Sequence, residues 1–242
     1  FTVRADPPVF HCFGCGAGGD VVEFVKLKEG LSFPDAVESL ARRFGVAIPD
    51  SREESPEDRL RGEIEPVLEA AARQYEQFMW VDSGRRAREY LLGRQFSRAT
   101  LEFIRAGSAR DAWEDMVRAL KVQFRDELIE MAGLGIRGKR GLYDRFRKRA
   151  IFPILSDRGR VVAFGARALD PADEPKYLNS PEGPAYQKSR TLYGLSWAKD
   201  EIRKTGRAIV MEGYLDVARS IDVGVASAVA PCGTALTSQQ AR

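Results

Sequence analysis

The sequence predicts a mixed α and β fold built from two modules, and three patterns in it point that way. Short apolar pairs around Pro7-Pro8 give way to helix-spaced apolar residues that recur as far as Leu120. From Ile151 the spacing changes to short continuous apolar runs of the kind that form buried strands. Between the modules, the charged stretch DSREESPEDRLRGEIE is poor in apolar side chains and reads as an exposed linker able to become helical.

The elements follow in order. Phe1, Val3, Val9 and Phe10 suit two short strands joined by a turn at the prolines. After HCFGCGAGGD, the residues Val22, Phe24, Val25, Leu27 and Leu31 suggest a helix that begins at Val21 and ends at Gly30. Ser32 caps a second helix, in which Ala36, Val37, Leu40, Ala41 and Phe44 recur at three and four residues until Gly45. This module closes near Pro49. Pro66 is placed to open a third helix with Val67, Leu68, Ala71, Tyr75, Phe78 and Met79 on one face. Helices are also expected over 84–92, 98–104 and 112–120, and strands over 151–155, 161–164 and 208–211.

A composition that is 44% hydrophobic and 30% charged is globular and long enough to bury a core. No apolar run reaches the roughly 18 residues that span a bilayer, and FTVRADPPVF lacks the pattern of a secretory signal, so a cytoplasmic protein without membrane contact is expected. The net charge of +3 is too small to specify a polyanionic partner, but its distribution is uneven. Residues 50–65 carry seven acidic side chains against three arginines, whereas residues 137–149 carry seven basic side chains against Asp144. By itself, the basic run reads first as a solvated helix face. The chain opens at Phe1 and closes at Arg242 in TSQQAR, which reads as the start of a helix, so we expect a piece of a longer protein.

Cys12 and Cys15 are separated by Phe-Gly and followed by Gly16, a spacing that lets the backbone curl around a metal and aim amides at the sulfurs. The same spacing suits a redox pair or two unrelated buried thiols, and His11 is awkwardly placed for a third ligand. Residues 1–46, FTVRADPPVF through LARRFGV, resemble the second half of the zinc-binding domain of bacterial replicative DNA primases. The resemblance implies that Cys12 and Cys15 are zinc ligands, that His11 is a neighbour, and that a Cys-x-x-His pair precedes Phe1.

A second block, YDRFRKRAIFPILSDRGRVVAFGARALD followed by PKYLNSPEGPAYQKSRTLYGL, resembles the catalytic core of the same family. It implies that Arg167, Lys176 and Tyr177 lie along a template and nucleotide groove, and that Arg94 in YLLGRQFS joins them. A polyanion tracked along a groove needs guanidinium forks, ammonium charges and aromatic faces. Tyr177 could instead pack beneath such a groove.

In the third block, AIVMEGYLDVARSIDVGVASAVAPCGTALT, an apolar run ends at Glu212 and a helix carrying Asp216 begins. This puts Glu212 at the carboxyl end of a strand, where ligand chemistry sits in open α/β sheets but where an acidic residue is most often a helix cap. The block resembles the opening of the Toprim fold of primases, topoisomerases and some nucleases. By that resemblance Glu212 is the catalytic acid, Asp216 supports it, and magnesium or manganese is the catalytic ion, with further ligands in an Asp-x-Asp motif beyond Arg242. Nothing gives Cys232 a metal role.

The expected organisation is a partial zinc-ribbon module at 1–49, a linker at 50–65, the amino-terminal subdomain of the primase core at 66–204 and the start of a Toprim subdomain at 205–242. The resemblance implies a nucleotidyltransferase that makes RNA primers from ribonucleoside triphosphates on single-stranded DNA at the replication fork. It also implies a replicative helicase as partner, contacted through a domain beyond residue 242, and little activity in these residues alone. A Toprim strand-cleaving enzyme and a non-enzymatic zinc-bearing module that binds single strands are the alternatives.

Overall fold

The computed structural model describes residues 1–46 and 55–241, divided between a unit at Phe1–Ser55 and a unit at Pro56–Arg242. In the first unit, β1 (Thr2–Ala5), β2 (Pro8–His11) and β3 (Gly18–Gly19) form an antiparallel sheet in that order. Two helices follow, α1 (Val21–Glu29) and α2 (Phe33–Phe44). Each starts where a side chain caps it: Asp20 accepts from the Glu23 amide at 2.8 Å, and Ser32 accepts from the Asp35 amide. Each ends at a glycine in the left-handed region, Gly30 at φ 66° and Gly45 at φ 63°. Among the described residues, the buried apolar side chains of this unit are Phe10, Val25 and Ala36, with Phe24 set edge-on to Phe10 at 5.2 Å. So small a core stabilises little without a crosslink or a metal.

The second unit opens with α3 (Pro56–Trp80), and here the structure departs from the sequence reading. The helix starts at Pro56 and passes straight through Pro66, where we expected it to begin; of the expected linker, residues 55–65 are described, and 56–65 are helical. The expected module end near Pro49 and linker positions 50–54 lie outside the described residues. Pro56 at the first helical position needs no amide partner, and Glu57 and Asp58 suit the positive end of the helix dipole. An internal proline costs about 3 kcal/mol, partly through a clash with the carbonyl four residues back, which here belongs to Gly62. The buried stripe of Ile64, Val67, Leu68, Ala71 and Tyr75 runs across the interruption and offsets that cost. The acidic side chains of the stretch pair with the body of the unit, Glu65 with Arg160 at 2.7 Å and Glu63 with Arg125 at 3.1 Å.

After α3 come α4 (Arg85–Gly93), α5 (Arg98–Phe103), β4 (Gly107–Ala109), α6 (Asp115–Leu120), α7 (Asp126–Met131) and a hairpin of β5 (Gly135–Gly138) and β6 (Gly141–Asp144). Buried Asp144 accepts the Met116 and Val117 amides, which fixes the start of α6 at Asp115 and not at the expected Ala112. Next are β7 (Arg149–Leu155), β8 (Val161–Ala168) and β9 (Tyr177–Asn179), which join β4 in an antiparallel sheet of order β4-β7-β8-β9.

All of β7 is buried because the sheet is covered on both faces. Ile151 and Leu155 join α3 in one core cluster, while Ala150, Phe152 and Ile154 join Tyr214 and Val217 in another. The chain closes with β10 (Leu192–Tyr193), α8 (Leu195–Thr205), β11 (Ile209–Val210), α9 (Tyr214–Asp222) and β12 (Ala228–Pro231). β11 and β12 pair in parallel through the α9 crossover, and β10 pairs antiparallel to β12. The paired part of the strand expected over 208–211 is Ile209–Val210, with the Met211 amide bonded to Val229 beyond it. No described helix is long and apolar enough to cross a membrane.

Candidate functional site

The thiol turn belongs to the first unit. The Cys12 amide bonds to Ala17 O at 2.7 Å, the Gly16 amide bonds to Cys12 O at 2.8 Å, and Gly16 turns the chain at φ 75°. Backbone hydrogen bonds from Cys15 and Gly14 pull the Cys12 thiol below its ordinary value, and a bond from the Cys15 side chain adds to them. A thiol biased toward thiolate is what a zinc ligand requires. The His11 imidazole lies edge-on to the Phe13 ring at 4.7 Å.

In the second unit, Arg167 and Tyr177 are cross-strand partners on β8 and β9. The Arg167 guanidinium lies 4.8 Å from the Tyr177 ring and 5.9 Å from the Tyr90 ring, and Nε donates to the Tyr90 hydroxyl at 3.0 Å. Arg94 stands over the other part of the ladder, 5.1 Å from Tyr90. Arg94, Arg167 and Tyr177 therefore meet, through a tyrosine that the sequence reading did not single out. Nη1 of Arg167 is buried and has no hydrogen-bond partner. Lys176 is exposed next to Tyr177, and its carbonyl accepts from the Ala168 amide at 3.0 Å.

Glu212 follows β11 and is exposed, and α9 begins two residues later. Asp216 Oδ2 accepts from the Gly213 amide at 3.1 Å, so this carboxylate caps the helix while remaining exposed. A cleft of about 270 Å³ joins Glu212 and Asp216 to Tyr177, Asn179 and Gly233. Among the described residues, no three His, Cys, Asp or Glu side chains gather as a metal cluster.

A larger cleft of about 410 Å³ holds part of the basic run. Arg145, Arg147 and Arg149 donate to the carbonyls of Asn179, Asp144 and Pro175 respectively. Burial pulls the guanidinium groups of Arg145 and Arg149 below their ordinary values. The Arg147 guanidinium stacks at 4.3 Å from the Trp113 ring and 5.5 Å from the Tyr143 ring. Arg145 and Arg147 lie in the bend between β6 and β7, and Arg149 opens β7, so the basic run is not the helix face that its composition suggested. Trp113 carried no signal, because it lies in a loop more than thirty residues upstream.

Residues 74–199 match the family described as DNA primase catalytic core, N-terminal domain, and residues 1–56 match the CHC2 zinc finger. A DNA primase of Halalkalibacterium halodurans is 41% identical over 100% of this chain and 41% of its own length. A DNA primase of Mycobacterium bovis is 42% identical over 97% of this chain and 38% of its own. The chain thus spans about two fifths of the length of these curated relatives. The crystal structure of the zinc-binding and RNA polymerase domains of Aquifex aeolicus primase aligns with a TM-score of 0.69 and 33% identity, covering 99% of this chain and 58% of that one. The RNA polymerase domain of the Mycobacterium tuberculosis primase, bound to a double-stranded DNA with a 6-nucleotide overhang, aligns at 0.72 and 38%, covering 74% and 57%.

Proposed function

This chain belongs to the DNA primase family, and from that premise we propose that the full-length protein synthesises RNA primers on single-stranded DNA. The observation that carries the proposal is the cleft in which Glu212 and Asp216 meet Tyr177, the end of the Arg94–Tyr90–Arg167 ladder. In this reading, Lys176 and the guanidinium groups hold template or nucleotide phosphates. Arg147, set against Trp113 and Tyr143 in the other cleft, offers a further cationic and aromatic surface to a nucleic acid.

Glu212 and Asp216 present hard oxygen donors, and a magnesium or manganese ion bound by one or two carboxylates plus substrate phosphates fits that set. Held by Glu212 and Asp216, such an ion would supply Lewis-acid activation of the primer hydroxyl and charge neutralisation for the departing pyrophosphate. Glu212 supplies the negative charge that holds the ion at the strand end, and Asp216 both caps α9 and adds an oxygen. Cys12 and Cys15 act as zinc ligands, with the other two supplied elsewhere in the full-length protein. The helicase contact is assigned by family resemblance to a separate domain.

A primer-synthesis assay on the full-length protein, with single-stranded template, four ribonucleoside triphosphates and magnesium, tests the reading. Short alkali-labile products that require the template are expected. Nicking or relaxation of plasmid DNA in place of synthesis would identify a strand-cleaving enzyme, and template binding with neither activity would identify a binding module.

A further inference from the structure

Asn179 ends β9, and its side chain reaches both ends of the α9 crossover. We propose that Asn179 is a positioning residue for the acidic cleft, tying the strand that carries Tyr177 to the two chain segments that carry Glu212 and Gly233. Its Nδ2 donates to the Cys232 carbonyl at 2.9 Å, and its Oδ1 accepts from the Tyr214 hydroxyl at 2.8 Å. A carbonyl can only accept, so the amide must turn its nitrogen toward Cys232 and its oxygen toward Tyr214. Tyr214 opens α9 and lies two residues from Glu212. Cys232 follows β12 and precedes Gly233, which lines the cleft.

The surroundings leave the contact little freedom. The Tyr214 ring is buried, stacked on Phe152 at 6.0 Å and edge-on to Tyr193 at 4.8 Å, so its hydroxyl has a fixed direction. Gly165 lies opposite Asn179 in the β8–β9 register, and a Cβ there would meet the Tyr214 ring at 2.3 Å. Gly233 has φ +77°, and a Cβ there would stand 2.8 Å from Asn179 Nδ2. Two glycines thus keep open the space through which the asparagine and the tyrosine meet. On its backbone side, the Asn179 carbonyl accepts from Arg145 Nη2 at 3.2 Å, which links the clamp to the basic cleft as well. An amide has both a donor for the carbonyl and an acceptor for the hydroxyl. Aspartate would turn an acceptor onto the Cys232 carbonyl, and alanine would leave both partners unmet.

The catalytic consequence rests on the primase reading, whereas the structural one rests on the hydrogen bonds alone, and the experiment separates them. Full-length Asn179→Ala, Asn179→Asp, Tyr214→Phe and the Asn179→Ala/Tyr214→Phe double variant are compared with the parent protein. Hydrogen exchange is followed over residues 211–219 and 230–234, and primer synthesis is resolved into kcat, nucleotide KM and template Kd. The inference expects exchange in those two segments to quicken roughly fivefold to tenfold, as loss of a buried hydrogen bond implies, with β7 and β8 unchanged. It expects kcat to fall roughly tenfold or more while template Kd stays within about twofold, because the template side of the cleft is left in place. The double variant should be no worse than Asn179→Ala, since both changes break one unit. Unchanged exchange in the two segments, unchanged kcat, or additive losses in the double variant would each overturn the inference. Faster exchange throughout the unit, with kcat and template binding lost in proportion, would also overturn it, because it would show a general packing role. A parent protein that makes no primers would refute the primase reading, and the exchange pattern would then decide the clamp by itself.

Discussion

Arg167 shows how one side chain can be stable in place and still incomplete. Two tyrosine rings and one hydroxyl hold its guanidinium, yet buried Nη1 meets no acceptor. Leaving such a donor unmet costs about 1–3 kcal/mol. In the full-length protein, Arg167→Ala should weaken single-strand binding and lower the slope of log K against log salt by about 0.7, the value of one phosphate contact on a single strand. The melting temperature should change little, because removing the unmet donor offsets the lost stacking. An intact slope with a large fall in melting temperature would make Arg167 a purely structural residue. Arg167, Lys176 and Tyr177 were legible in the sequence because FGAR and KYLNSP carry them in recognisable strings. Tyr90 and Asn179 stand in the strings YLLGRQFS and KYLNSP but were not singled out, since their importance lies in contacts 77 and 53 residues away in the chain.

At the scale of elements, α3 was misread at its start because Pro66 is a strong local signal and burial is a tertiary one. The two central strands were legible because continuous apolar runs suit a sheet covered on both faces. The short strands β9, β10 and β11 are set by partners distant in sequence, and two or three residues leave no period to read. The packing of α3 also depends on Arg105, a non-glycine residue at φ 58°. Its guanidinium bonds to Glu69 at 3.0 and 2.9 Å and to Glu76 at 2.7 Å, all on α3. Arg105→Ala keeps the unfavourable backbone angle, takes from half-buried Glu76 its hydrogen-bonded guanidinium and leaves Glu69 with Arg73. Urea unfolding should show a loss of about 1–3 kcal/mol, below the cost of breaking a fully buried pair. A change within about 0.5 kcal/mol, the usual range for a surface substitution, would contradict that account.

For the molecule as a whole, the two units differ in how they are held together. The larger has a core on each face of its sheet, whereas the smaller buries three apolar side chains among its described residues and turns tightly around Cys12 and Cys15. Removing zinc from the full-length protein with a chelator should therefore raise hydrogen exchange throughout residues 1–46 and leave β7 and β8 protected. Uniform protection after chelation would mean that the small unit does not rest on a metal. The central claim is that the carboxylate of Glu212 performs the chemistry and the arginine–tyrosine ladder binds the template. Glutamine keeps the size of glutamate without its charge, so the most direct measurement is the primer-synthesis rate and single-strand binding isotherm of full-length Glu212→Gln on the same folded preparation. The account predicts that synthesis falls by roughly a hundredfold or more while template affinity stays within about twofold, as for a charge used mainly in the transition state. Near-normal synthesis by the folded variant would contradict it.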